Sequence, residues 1–188
     1  MKVTSKRVLT RVAVFIAVLV AAAWALSYHR FEFKGGIGVR DTGFFSYPRY
    51  HAQLGNVPLW KAGEYQFTVH GLPSDPLDLK LQVSNGTYAE SAELASLSTA
   101  VSVSIADGSG KEVCSASGHL SEAKLRGSNG WVLESSSSHA SFWHPHCQNL
   151  PISRFKSYTT KVAVLDVDPR SPQKELTPVL EGGGTELP

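Results

Sequence analysis

Hydrophobic residues follow two different patterns along this chain. From Val12 to Leu26 the sequence VAVFIAVLVAAAWAL contains no charged residue, no Gly and no Pro, so a helix formed here has no polar face to turn towards water. Beyond residue 60 the pattern changes to short stretches of alternating apolar and polar residues, rich in β-branched and aromatic types and separated by turn formers. A period of two places alternate side chains on one face of a pleated strand, so these stretches are expected as half-buried strands. The clearest are 64–70 (EYQFTVH), 77–84 (LDLKLQVS), 100–107 (AVSVSIAD), 111–117 (KEVCSAS), 131–135, 141–144 and 158–166 (YTTKVAVLD), with 176–180 as a final candidate.

The connections agree with strands. Asp107-Gly108-Ser109-Gly110 suits a tight hairpin, Asn85-Gly86 and Asn129-Gly130 tolerate positive φ, and Pro73-Ser74-Asp75-Pro76 forms a turn. Only 88–97 (YAESAELASL) has helical spacing, with Ala and Leu on one face and two Glu on another. Seven or eight strands without alternating helices predict an all-β fold, an antiparallel β-sandwich of immunoglobulin-like or jelly-roll type. The expected organisation is a transmembrane or signal helix within 1–30, a juxtamembrane segment over 31–58, the sandwich over 59–181 and a loose tail over 182–188. The juxtamembrane segment holds Phe44, Phe45, Tyr47 and Tyr50, too many aromatics for a flexible tether. It is expected to pack partly on the domain, with flexibility confined to Lys34–Gly38.

The leader is read as an export signal or a membrane anchor. Lys2, Lys6, Arg7 and Arg11 precede the apolar run without any acid, an arrangement that keeps the N-terminus inside and sends the rest across. Fifteen helical residues rise only about 22 Å, but snorkelling of Arg11 brings Val8 and Leu9 into the span, so membrane contact is assigned to residues 8–26. Small-x-small sequences at Ala21-Ala22-Ala23 and Ala23-Trp24-Ala25 also permit cleavage and secretion. Retention is favoured because Trp24, Tyr28 and Arg30 form an interfacial belt after the run. The expected location is a single-pass inner-membrane protein with its C-terminal domain in the periplasm.

Charge excludes one class of partner. The chain carries a formal +2, but five of its 18 bases lie in residues 1–30, which hold no acid. The remaining 13 bases face 16 acids, so the rest of the chain is net −3 and lacks the basic footprint that nucleic acid requires.

Cys114 and Cys147 are the only cysteines; in an exported chain an even count is read as a disulfide. The densest chemical cluster is His139, His144 and His146. Two imidazoles on one strand face could bind zinc or copper if His139, His119 or Asp166 supplied a third ligand. Polar residues flanking a disulfide are the simpler account, and no metal or other cofactor is assigned. Trp60, Trp131 and Trp143 could form a platform for sugar rings, although buried aromatics are the commoner use. Asp166-x-Asp168 and Asp107-x-Ser109 lack the further oxygen donors of a calcium loop and are read as turn and strand-end residues. No Gly-x-Ser-x-Gly elbow, Walker loop, paired-His zinc helix or catalytic cysteine pattern occurs. The expected function is therefore non-enzymatic, with binding of a protein or envelope partner set against carbohydrate or cell-wall binding and against metal binding at the His cluster.

Overall fold

The computed structural model describes residues 3–31, 33–41, 49–74, 76–83, 92–123, 130–135 and 140–183, with the backbone alone described at 3–9, 23–31, 39–41, 135 and 183. The long apolar run lies in one helix, α1 (Val3–Ser27), and strands make up most of the other described residues. They are β1 (Tyr28–Phe31), β2 (Ile37–Asp41), β3 (Arg49–Gln53), β4 (Val57–Pro58), β5 (Gly63–His70), β6 (Pro76–Val83), β7 (Ala100–Asp107), β8 (Glu112–His119), β9 (Val132–Ser135), β10 (Ala140–Trp143), β11 (Leu150–Pro151), β12 (Ser157–Asp166) and β13 (Glu175–Gly183). Among the described residues, no helix is long and apolar enough to cross a membrane.

Two antiparallel sheets form a β-sandwich-like core. The larger has nine strands in the order β1-β2-β3-β13-β6-β10-β9, with β4 paired to β13 and β11 to β6; the smaller has the order β5-β12-β7-β8. Alternation explains which faces meet. Leu77, Leu79, Leu81 and Val83 of β6 are buried, as are Val101, Val103 and Ile105 of β7 and Tyr158, Val162 and Val164 of β12. Each set sits at every second position of its strand, and together they form one hydrophobic core.

The eight expected strands all have counterparts within a residue or two at most ends, and β13 extends further, to Gly183. Three expectations need revision. Lys34–Gly38 is tied down rather than loose: Lys34 and His70 exchange backbone hydrogen bonds of 3.0 and 3.1 Å, and Ile37 begins β2. Phe33 enters the core just before it, and Gly35, with φ of 107°, makes the turn between them where a side chain would run into the Thr68 carbonyl. The tail also starts later than expected, since Gly182 and Gly183 still belong to β13. Of the expected helix over 88–97, the described part is 92–97, in which 92–94 is helical; 84–91 lies outside the described residues. Phe44, Phe45, Tyr47, the Asn85-Gly86 turn and Asn129 also lie outside them.

Pro178 sits in a central strand, normally an unfavourable place because proline has no N–H for the ladder. Its carbonyl accepts from the Leu54 amide at 3.0 Å, so its nitrogen faces the same side. On that side the ladder is interrupted between Gln53 of β3 and Val57 of β4. The missing donor therefore falls at a gap already present in the neighbouring strands.

Candidate functional site

The outward face of the larger sheet carries a row of polar side chains built by strand register. His51 of β3 pairs with Glu181 of β13, and Glu181 pairs with Asp78 of β6. The even spacing of Arg49 and His51, and of Asp78 and Lys80, keeps all of them on the face opposite the core leucines. His51 Nδ1 lies 2.6 Å from Glu181 Oε1, Lys80 Nζ is 3.0 Å from Glu181 Oε2, and the same Nζ reaches Glu134 of β9 at 3.1 Å. Gln53 Nε2 meets His51 Nε2 at 3.2 Å. If Gln53 donates there, Nε2 accepts and Nδ1 carries the proton given to Glu181.

His51, Lys80 and Glu181 line a cavity of about 400 Å³ together with Arg49, Tyr50, Asp78 and Gly182. Gly182 is required by a close approach, since a Cβ there would run into the Pro76 carbonyl and Leu77. Burial works against ionisation of Glu181, yet the His51 hydrogen bond and the Lys80 charge outweigh it and hold the carboxyl at about 2, below its usual 4.5. Lys80 shows the mirror image: burial lowers its pKa, but Glu181 and Glu134 more than reverse that and raise it. Arg49 is exposed, and no ion pair engages it among the described residues. Asp78 accepts the Asn149 amide at 2.7 Å through Oδ1.

The residues singled out in the sequence fall elsewhere. Cys114 of β8 and Cys147 stand at disulfide distance with Cα atoms 5.3 Å apart, and both are buried. Cys147 ends a 3-10 turn, Pro145–Cys147, that follows β10, so the pair ties the smaller sheet to the larger. A register shift between β7 and β8 leaves Val113 as an extra residue beside Cys114.

His144 and His146 come together, but beyond the strand rather than on one face of it: β10 ends at Trp143, His144 caps the 3-10 turn and His146 lies within it. Their rings are 4.9 Å apart, and the buried His144 meets the Trp131 indole edge-on at 5.7 Å. His144 Nδ1 accepts the His146 backbone N–H at 3.3 Å, which occupies one of its two ligating positions. His119 is turned away to the Ser98 carbonyl at 2.7 Å, and His139 lies outside the described residues. Among the described residues, no group of three His, Cys, Asp or Glu is placed to hold a metal ion.

The tryptophans do not share a surface, because Trp131 is in the core, Trp143 is half-buried and Trp60 is exposed. Trp131 lies against Gly118, where an added Cβ would stand only 3.2 Å from the indole ring.

The chain matches no protein-family model, curated protein or solved structure. What the site can do is therefore argued from its own chemistry.

Asp168 and Asp107 each have a local partner set. Asp168 is buried and accepts from Arg170 Nη2 at 2.7 Å, from Arg170 Nε at 3.0 Å and from the Ser98 amide at 2.9 Å, with Arg170 Nη2 also reaching the Ser96 carbonyl. These donors hold the Asp168 carboxyl well below the usual carboxylate range, the Arg170 side chain contributing most. Asp107 caps the hairpin by accepting from Ser109 and from the Lys111 amide. Ser109 leads the contacts that bring its pKa to about 2. Both carboxylates are thus committed to protein donors. Asp168→Asn is expected to lower the thermal midpoint by unfastening 168–171 from 96–99, and the drop should be absent in Asp166→Asn, an exposed neighbour. Equal midpoints in the two variants would contradict this role.

Proposed function

We propose that the chain is a non-enzymatic binding module, an exported antiparallel β-sandwich of immunoglobulin-like or jelly-roll kind, tethered to a membrane by its N-terminal helix. The observation that carries this reading is the state of α1. Val12, Val14, Phe15, Ile16, Val18, Leu19 and Val20 all stand between 51% and 63% exposed, and none joins the hydrophobic core. An apolar helix with large side chains open all round has no stable place in water and is suited to lipid. Although the described side chains of α1 cover only 10–22, its backbone helix spans 25 residues, about 37 Å. The cysteine pair supports the same side of a membrane for the domain, since such pairs persist in oxidising compartments.

The non-enzymatic part of the reading is supported by the outer-face row. A carboxylate–imidazole pair works as a general base through its far nitrogen, whose lone pair must be open to the incoming group. In His51 that nitrogen is turned to the Gln53 amide.

The test is membrane topology and attachment. A periplasm-dependent reporter fused after Pro188 should be active, and the protein should stay in the pellet after alkaline carbonate extraction. Cytoplasmic reporter activity, or release by carbonate of a chain shortened near residue 25, would sink the tethered reading.

A further inference from the structure

We infer that the outer-face pocket of the larger sheet takes the polar headgroup of an ethanolamine phospholipid from the membrane surface beside it, its phosphate against Arg49 and its primary ammonium against Asp78. The inference rests on the tethered reading proposed above and adds a ligand to it.

Position is the first argument. α1 ends at Ser27 and β1 begins at Tyr28, with no linker between them. Tyr28 is paired with Asp41, and Asp41 with Arg49. Arg49 therefore lies two strand spacings, about 10 Å, from the residue that follows the helix. His51 is two residues further along β3, about 7 Å. With residues 8–26 in the bilayer, the pocket mouth stands at the level of the headgroups, a layer about 5 to 8 Å thick on each side.

Charge is the second argument. The lining holds two basic side chains, Arg49 and Lys80, and two carboxylates, Asp78 and Glu181. Lys80 and Glu181 are occupied with each other, with His51 and with Glu134. Among the described residues, what remains for a ligand is the Arg49 guanidinium at one end and the second oxygen of Asp78 at the other, since Asp78 Oδ1 already holds the Asn149 amide. A simple anion would satisfy only the first and face repulsion from the second. A phosphate joined by a short link to an ammonium satisfies both, as guanidinium binds phosphate in a two-pronged manner and a carboxylate accepts from an ammonium. The volume of about 400 Å³ is within the usual range of small-molecule sites.

The experiment uses the full chain. Glycerophosphoethanolamine, the soluble headgroup, is titrated into protein held in a maltoside detergent and followed by calorimetry. Saturable binding is expected, weakened tenfold or more in Arg49→Gln and in Asp78→Asn, and unchanged in Lys161→Gln on the smaller sheet. Inorganic phosphate should bind at least tenfold more weakly than the headgroup. The titration is then repeated in nanodiscs of phosphatidylcholine with and without phosphatidylethanolamine. Lipid occupancy should reduce the apparent affinity for the soluble headgroup in the disc that contains phosphatidylethanolamine.

Absence of binding in detergent, equal binding by Arg49→Gln and Asp78→Asn to that of the wild type, or phosphate binding as tightly as the headgroup would overturn the site. Equal affinity in the two discs would overturn the bilayer as the source of the ligand. The detergent titration reaches the pocket whether or not α1 is embedded, so failure of the tether and failure of the site are read separately.

Discussion

Converting both Cys114 and Cys147 to serine is expected to remove about 3 to 4 kcal/mol of stability, the largest loss predicted for any change outside the leucine core. The chain-entropy contribution of a bridge grows with the loop that it closes, and these residues are 33 apart in sequence. Their position adds a native-state reason. Cys114 is paired with Ile105 in the smaller sheet, whereas Cys147 follows β10 of the larger. A single bond therefore fastens one sheet to the other. Two serine hydroxyls buried in the same place would also need hydrogen-bond partners inside the hydrophobic core to which both sulfurs belong. Denaturant titration of the full chain, with and without reductant, gives the measurement. The wild type should lose most of the difference on reduction, and the double variant should not respond to reductant at all. A midpoint shared by the wild type and the double variant would show that the bridge does not hold the sheets.

Much of the fold is legible in the residues themselves, and the parts that are not have a definite cause. The strands with strict alternation, such as LDLKLQV in β6 and AVSVSIA in β7, are readable because burial on one face imposes a period of two. β13 is readable for another reason, as residues 176–180 are buried on both faces and give a short, mostly apolar run broken only by Thr177. β1 and β2 carry no comparable signal. Tyr28–Phe31 follows the helix without a break, and Ile37–Asp41 has Gly35 and Gly36 before it and Gly38 within it, which reads locally as a loop. Its strand character comes from pairing with β1 and β3, a tertiary effect absent from the local sequence.

The candidate site was less accessible still. His51 and Glu181 are 130 residues apart and meet only because β13 returns between β3 and β6. Motif spacing draws attention instead to neighbours in sequence, His144 with His146 and Asp166 with Asp168. In the fold, His144 is packed against Trp131 and Asp168 is enclosed by Arg170 and Ser98. The pattern could have pointed to the outer-face row in one respect: Asp78 and Lys80 lie at the polar positions of the alternating strand β6, while Glu134 and Glu181 each follow a buried apolar pair. Their partners depend on register, which alternation alone does not specify.

Between pH 5 and pH 2 the protein is expected to lose about 2 kcal/mol through Glu181. The carboxyl titrates at about 2 in the folded chain against a usual 4.5. A group with a depressed folded-state pKa stabilises the fold fully above its unfolded value, and that contribution disappears as pH falls through the folded one. The loss should thus begin near pH 4.5 and be complete only below pH 2. Direct conversion of the shift would give about 3 kcal/mol; the smaller figure allows for solvent, since 31% of the side chain is exposed. Glu181→Gln keeps the shape of the side chain and removes the charge, leaving Lys80 with Glu134 alone. At pH 7 the variant should be less stable by about the same 2 kcal/mol, and the two proteins should approach each other towards pH 2 and converge below it. Other depressed carboxylates, Asp107 and Asp168, contribute to acid unfolding of both proteins alike, so they cancel when one curve is subtracted from the other. Unfolding curves of the two proteins that stay parallel from pH 5 to pH 2 would mean that the Glu181 contacts with His51 and Lys80 do not hold the outer face together.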